Sequence, residues 1–201
     1  MTQTHETKQR LLDTAQKLFY ARSYEDVGVQ EICREADVKK GSFYHFFPSK
    51  RDLTLAMLDA SWKAFRETEL PAVFARDIPP LQRLERFLDM QYDHHKAVKE
   101  QTGHVLGCPY GNLAGEMSTQ DEAIREHVVR IFRDLETPIE AALAEAIAAG
   151  DLEQLDTRAT AAAMVAYIEG LTLLAKTHND PELVRTLGPA MLNLAVPVSE
   201  D

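Results

Sequence analysis

Two short runs in this 201-residue chain combine residue types that could do chemistry. The first is Lys39-Lys40-Gly41-Ser42 followed by Tyr44 and His45, with Gln30 upstream and Lys50 downstream. Ammonium groups neutralise phosphates, a glycine lets the backbone come close, and Gln, Ser, Tyr and His carry polar ends able to hydrogen-bond phosphates or base edges. That is an inventory for touching DNA. Phe43, Phe46 and Phe47 are interleaved with it, and their apolar rings are expected to pack instead. The second run is Gly107-Cys108-Pro109-Tyr110-Gly111-Asn112, continuing to Gly115, Glu116 and Met117. Its thiol, amide and phenol are ligand-binding groups, set in a stretch whose glycines and proline make a poor generic helix.

Elements must position the first run. Val29, Ile32, Cys33 and Ala36 stand at i, i+3, i+4 and i+7, the buried stripe of a short helix. Asp37 and Val38 make a turn, residues 39–46 form a second helix, and Pro48-Ser49 stops it, with Ser49 and Asp52 placed to cap a third. Two short helices across a tight turn read as helix-turn-helix, whose second helix lies in the DNA major groove. Upstream, Lys8, Leu11, Leu12, Ala15, Leu18 and Phe19 set a helix over residues 5–22, whose apolar face covers the back of the motif. Residues 1–4 are expected to fray. Gly28 takes the N-cap of the first motif helix without a side-chain acceptor. If the turn needs positive φ, Asp37 carries a modest strain there that glycine would avoid.

The order A-D-V-K-K-G-S-F-Y-H-F-F-P-S-K, preceded by V-Q-E-I-C, resembles the DNA-binding domain of the TetR family of transcriptional repressors over roughly the first quarter of the chain. The departures are Gly28, where that family usually has Ser or Thr, and Asp37, where it usually has Gly. Residues 107–118, G-C-P-Y-G-N-L-A-G-E-M-S, resemble a segment of one branch of the family. There a G-C-x-x-G-N-L-x-x-E pattern borders the effector pocket and the cysteine can sense electrophiles or oxidants. The resemblance implies an all-α fold: an N-terminal three-helix helix-turn-helix domain, residues 1–52, then a helical effector-binding and dimerisation bundle, residues 53–201. It also implies a homodimer joined through helices in 157–196, a roughly palindromic double-stranded operator, and release by a small-molecule or electrophilic effector.

The remaining pattern is helical throughout. Stripes run over residues 50–69, 81–99, 110–117, 120–149 and 157–177, and Pro181 opens a last helix interrupted near Gly188-Pro189. Thr119 and Asp156 are the expected caps of the two long C-terminal helices, and Pro138 is expected to kink the first of them. Trp62, Phe65, Phe87, Met90, Gln91, His94, Cys108, Tyr110, Asn112, Met117, Tyr167 and Leu171 supply the aromatic, thioether and polar set of an effector cavity between helices. Ordinary core is the plain alternative for such a set. Lys176 is the cation that would favour a Cys108 thiolate if its helix packs there, and an inert buried thiol is the alternative. Cys33, on the buried stripe, reads as core.

Charge restricts where DNA can bind. The chain carries a formal net charge of -10, yet residues 1–52 hold 9 Lys+Arg against 8 Asp+Glu, net +1, leaving -11 for residues 53–201. Attraction to phosphates must come from the first part, and it should weaken steeply with salt. Cys33 and Cys108 lie far apart, so reduced thiols are the default. His94-His95, His104 and His127 offer no i, i+4 pair, and no metal site is expected. Neither a phosphate loop nor a nucleophile elbow occurs, so no cofactor and no enzyme is expected. No apolar run approaching the roughly 20 residues of a membrane span is read here, and no leader, so the expectation is a soluble cytoplasmic protein without a membrane partner. The alternative to a DNA-binding regulator is a small-molecule-binding helical module with no DNA-regulated function.

Overall fold

Apolar residues three and four apart build ten α-helices and a closing 3-10 turn across the described residues, 3–198, of this computed structural model; no strand occurs among them. In chain order they are α1 (Gln3–Ala21), α2 (Val29–Glu35), α3 (Lys40–Phe46), α4 (Lys50–Thr68), α5 (Leu70–Val73), α6 (Pro80–Thr102), α7 (Pro109–Met117), α8 (Glu122–Ala149), α9 (Thr157–His178) and α10 (Glu182–Leu187), with the 3-10 turn at Gly188–Asn193. Residues 1 and 2, and with them part of the expected fray, lie outside the described residues. The chain divides into two compact units: residues up to Phe65 with Pro109–Val129, and Arg66–Cys108 with the chain from Arg130 onward. Helices α4 and α8 begin in the first and end in the second.

In the first unit Leu11, Ala15, Ile32, Phe43 and Leu53 are completely buried, one or two from each of the four N-terminal helices. Removing this apolar surface from water is what holds such short helices, because α2 and α3, at seven residues each, are too short to be stable alone. Gly28 opens α2 with no side-chain cap, as its lack of an acceptor requires. The turn after α2 closes with the Val38 N–H on the Cys33 carbonyl at 2.9 Å, which puts Asp37 at φ +51°. This is the left-handed region that glycine enters freely and aspartate enters at a small cost. Ser49 caps α4, its hydroxyl accepting from the Asp52 N–H at 3.1 Å and donating to the Asp52 carboxylate at 2.6 Å.

The second unit packs α6, α9, α10 and the 3-10 turn. Leu84, Phe87, Ile139, Met164 and Met191 are essentially buried there. Arg83 is buried too, and is satisfied by the Ile78 and Arg76 carbonyls and by Glu145 at 2.8 Å. Asn179 ends α9 in the left-handed conformation, and its side chain ties the loop after α6, accepting from the Val105 N–H at 2.8 Å and donating to the Gly103 carbonyl.

Three local expectations change. Residues 70–73, read as connection, form a turn of helix with Pro71 in its first turn, where the missing N–H is not needed. The cap of α8 is Asp121, not Thr119: its carboxylate accepts from the Ile124 N–H at 3.1 Å, and the helix starts at Glu122. Pro138 lies inside α8, where the pattern put it, and is no change. Finally, α9 is long and apolar enough to pass for a membrane span by length and composition, contrary to the expectation of no such run. Its apolarity has a use within the unit, since Ala161, Met164, Val165, Ile168, Leu171 and Ala175 are all buried.

Candidate functional site

The residues expected to face DNA are positioned by aromatic anchors. Phe43 and Phe47 point inward, 0% and 3% exposed, with ring centroids 6.0 Å apart. They pin α3 so that its other side faces water. There Lys39, Lys40, Gly41, Tyr44 and His45 are exposed, Ser42 is half-buried, and Gln30 is exposed on α2. Tyr44 leaves a large aromatic ring 48% exposed, with the Lys40 ammonium 5.9 Å from its centroid. An exposed aromatic with a phenolic end beside a cation is poorly explained by folding and well suited to a nucleic-acid surface.

Lys50 is the exception. Its Nζ turns inward, donating to the Tyr24 carbonyl at 2.9 Å and the Val27 carbonyl at 3.3 Å, 3.9 Å from the centre of the Tyr24 ring. Held in this way, the ammonium braces the loop between α1 and α2. The same loop is held from the other side by Glu116 of α7, whose carboxylate accepts from the Tyr24 and Glu25 N–H groups, each at 2.8 Å.

The expected effector residues fall into separate settings. Within the first unit, the Tyr110 ring stands edge-on to Trp62, centroids 6.0 Å apart, and its hydroxyl donates to Ser61 Oγ at 3.3 Å. Phe65 lies 5.6 Å from Trp62, Met117 is buried, and Asn112 is half-buried. Within the second unit, Met90 and His94 line a cavity of about 490 Å³ together with Glu69, Ala72, Val73, Arg86, Asp89 and Asp93. Burial pushes the His94 pKa down, and Glu69 partly opposes this. Gln91 is half-buried. Phe87 is fully buried against Phe74, Leu171 belongs to a packed cluster with Val105, Ala175 and Val184, and Tyr167 packs on that cluster and donates to the Leu187 carbonyl at 2.8 Å. For these three the plain core alternative describes what their side chains do.

Cys108 hydrogen-bonds Glu169, whose carboxyl pKa is raised by burial and drawn back by the thiol. Lys176, expected as its activating cation, is exposed near the end of α9, two helical turns beyond Glu169. Cys33 is buried, as its stripe position requires, and burial raises its pKa; neither cysteine forms a disulfide. Among the described residues no three His, Cys, Asp or Glu side chains are grouped as metal ligands.

Comparison with known proteins decides the family. The family model described as bacterial regulatory proteins, tetR family, matches residues 11–57, and that of the tetracyclin repressor-like C-terminal domain matches residues 80–191. A Lactococcus lactis protein, the HTH-type transcriptional regulator in the lacX 3' region, is 34% identical over 176 residues, 87% of this chain and 85% of that one. The chain belongs to the TetR family. Another TetR-like relative, the HTH-type transcriptional repressor DhaR of a Mycobacterium species, is 25% identical over 195 residues, covering 96% and 94% of the two chains. The crystal structure of reduced E. coli NemR matches with a TM-score of 0.81 at 25% identity over 97% of this chain and all of the other.

As a TetR-family member the protein is a DNA-binding transcriptional regulator with an N-terminal helix-turn-helix domain followed by a C-terminal helical domain. Its sequence placed His94 rather than His95 in the effector set; His95 is 1% exposed, has no hydrogen-bond partner on either ring nitrogen among the described residues, and has its pKa pushed down to about 4 by burial and then by His94. The signal was present: His95 lies seven residues after Leu88 and eleven after Leu84, on the buried stripe of α6. Glu116 carried no such signal, because its partners are more than 90 residues away.

Proposed function

We propose that this regulator is a homodimeric repressor whose α3 reads a roughly palindromic operator and which a small-molecule or electrophilic effector releases. The observation that carries the reading is the half-exposed Tyr44 on the water-facing side of a helix anchored by Phe43 and Phe47. Lys39, Lys40, Gly41, Ser42, Tyr44 and His45, with Gln30 of α2, form the DNA-facing set, and residues 1–52 are the DNA-binding domain. Effector binding and dimerisation belong to residues 53–201, with Met90 and His94 at a cavity of the size small ligands occupy. Relatives named as repressors support repression over activation. The expected setting is the cytoplasm, and no catalytic step is assigned.

The test begins with a duplex selected from random sequence by the wild-type protein. Tyr44→Ala should bind that duplex at least about tenfold more weakly, and Lys39→Ala should lower the slope of log affinity against log salt by about 1. Equal affinity of Tyr44→Ala and wild type would sink the reading. The effector class is separated by N-ethylmaleimide: an electrophile sensor loses operator affinity in wild type and keeps it in Cys108→Ser. Equal behaviour of the two proteins assigns release to a reversibly bound ligand.

A further inference from the structure

The loop between α1 and α2 carries no cap of its own on the helix it launches, yet it must set where α2 and α3 point. Gly28 offers no side-chain acceptor at the N-terminus of α2. The loop is instead gripped from outside. On one side Glu116 takes two consecutive backbone N–H groups, Tyr24 and Glu25, one on each carboxylate oxygen, both at 2.8 Å. On the other, Lys50 takes the carbonyls of Tyr24 and Val27. Arg22 completes the grip, pairing with Glu31 of α2 at 2.7 Å and donating to the Asp26 carbonyl at 3.3 Å. Charge-assisted hydrogen bonds of this kind are directional and roughly twice as strong as neutral ones.

These holders differ in what they belong to. Arg22 lies in the loop itself, just past the end of α1, and Lys50 opens α4, both within the same N-terminal run. Glu116 comes from α7, near its C-terminal end, and the chain enters α7 directly from Cys108. The same short helix touches α4 through Tyr110, Trp62 and Ser61. Any displacement of α7 must therefore break the two Glu116 bonds or drag the loop with it.

We infer that Glu116 is the positioning residue through which α7 sets the aim of the DNA-reading helices. This rests on the operator-binding reading and names how that binding is regulated: a shift of α7 reaches α2 and α3 through one carboxylate and two amides. Glu116 touches no DNA in this scheme. Its importance runs against simple electrostatics, because deleting a negative charge from a protein that binds a polyanion should, by charge alone, strengthen binding.

The experiment uses the full-length protein and the duplex selected by wild type. Glu116→Ala should weaken operator binding by roughly tenfold, the loss of two positioned hydrogen bonds, and leave the salt slope unchanged. Glu116→Gln, which keeps the size and one acceptor oxygen, should fall between. Backbone hydrogen exchange should accelerate at the Tyr24 and Glu25 amides in both variants while α1 and α3 stay protected. Unchanged or tighter operator binding in Glu116→Gln, with those two amides exposed to exchange, would overturn the inference. Loss of protection throughout α1 to α3 in Glu116→Gln would also overturn it, by reducing Glu116 to a general stabiliser. A wild-type protein that selects no duplex refutes the operator-binding reading; variants that bind as wild type refute only the role of Glu116.

Discussion

His95 shows how much one side chain can influence the stability of this molecule. A neutral imidazole has one donor and one acceptor, and here both nitrogens are buried without a partner among the described residues. Leaving such groups unsatisfied costs about 1–3 kcal/mol, so His95→Leu is expected to raise unfolding free energy by that order in urea denaturation at pH 7. The same residue produces a pH dependence with a definite sign. Its folded pKa lies at about 4 and its ordinary value at 6.5, so between these limits the unfolded chain binds the proton and the folded chain does not. Stability is therefore greatest above pH 6.5 and falls as pH drops toward 4, by about 3 kcal/mol in all at 1.36 kcal/mol per unit. Denaturation at pH 7 and pH 5 should show this loss in wild type and a much smaller one in His95→Leu. A parallel loss in both proteins would place the titration elsewhere.

In the proposed regulation α7 is the moving element, and two glycines, Gly111 and Gly115, stand inside it. Gly115 sits inside it with nothing within 4 Å of where a Cβ would stand, so neither packing nor a positive φ calls for glycine there. Each interior glycine costs a helix about 1 kcal/mol relative to alanine. Gly115→Ala is accordingly expected to slow hydrogen exchange across α7 and tighten operator binding modestly, read by exchange and by titration of the selected duplex. Helices of this kind were legible from the sequence because their stripes are local: Val29, Ile32, Cys33 and Ala36 announce α2, and α3 follows from Phe43 and Phe47 with the polar residues between them. Asp37 was legible as a glycine-like position for the same reason. The grip on the α1–α2 loop was not, since periodicity holds no information about a contact between Tyr24 and Glu116, nor does the type of Lys50 reveal that its ammonium turns inward. His94 was preferred to His95 as a functional histidine, although the register of α6 favours His95 as the buried one.

For the whole molecule, the surface of α9 and α10 is where the proposed dimer can be tested. Leu173, Leu174 and Leu187 are 60%, 47% and 41% exposed, an apolar cost in water that a second copy would remove. Sedimentation should give about twice the 22.6 kDa chain mass at micromolar concentration, and the Leu173→Glu, Leu174→Glu double variant should sediment as the single chain. A 22.6 kDa wild-type species would end the dimer proposal. The inward turn of Lys50 has a consequence for the search in a living cell. With that ammonium held by two carbonyls, the proposed reading helix offers phosphates mainly Lys39 and Lys40, and residues 53–201 are strongly acidic. Sequence-independent attachment grows with the number of neutralised phosphates, so this protein should rest only briefly on unrelated chromosomal DNA. Fewer copies are then sequestered along the genome, sliding is short, and the promoter is found mainly by repeated three-dimensional encounters. A small cellular pool can stay free and respond quickly.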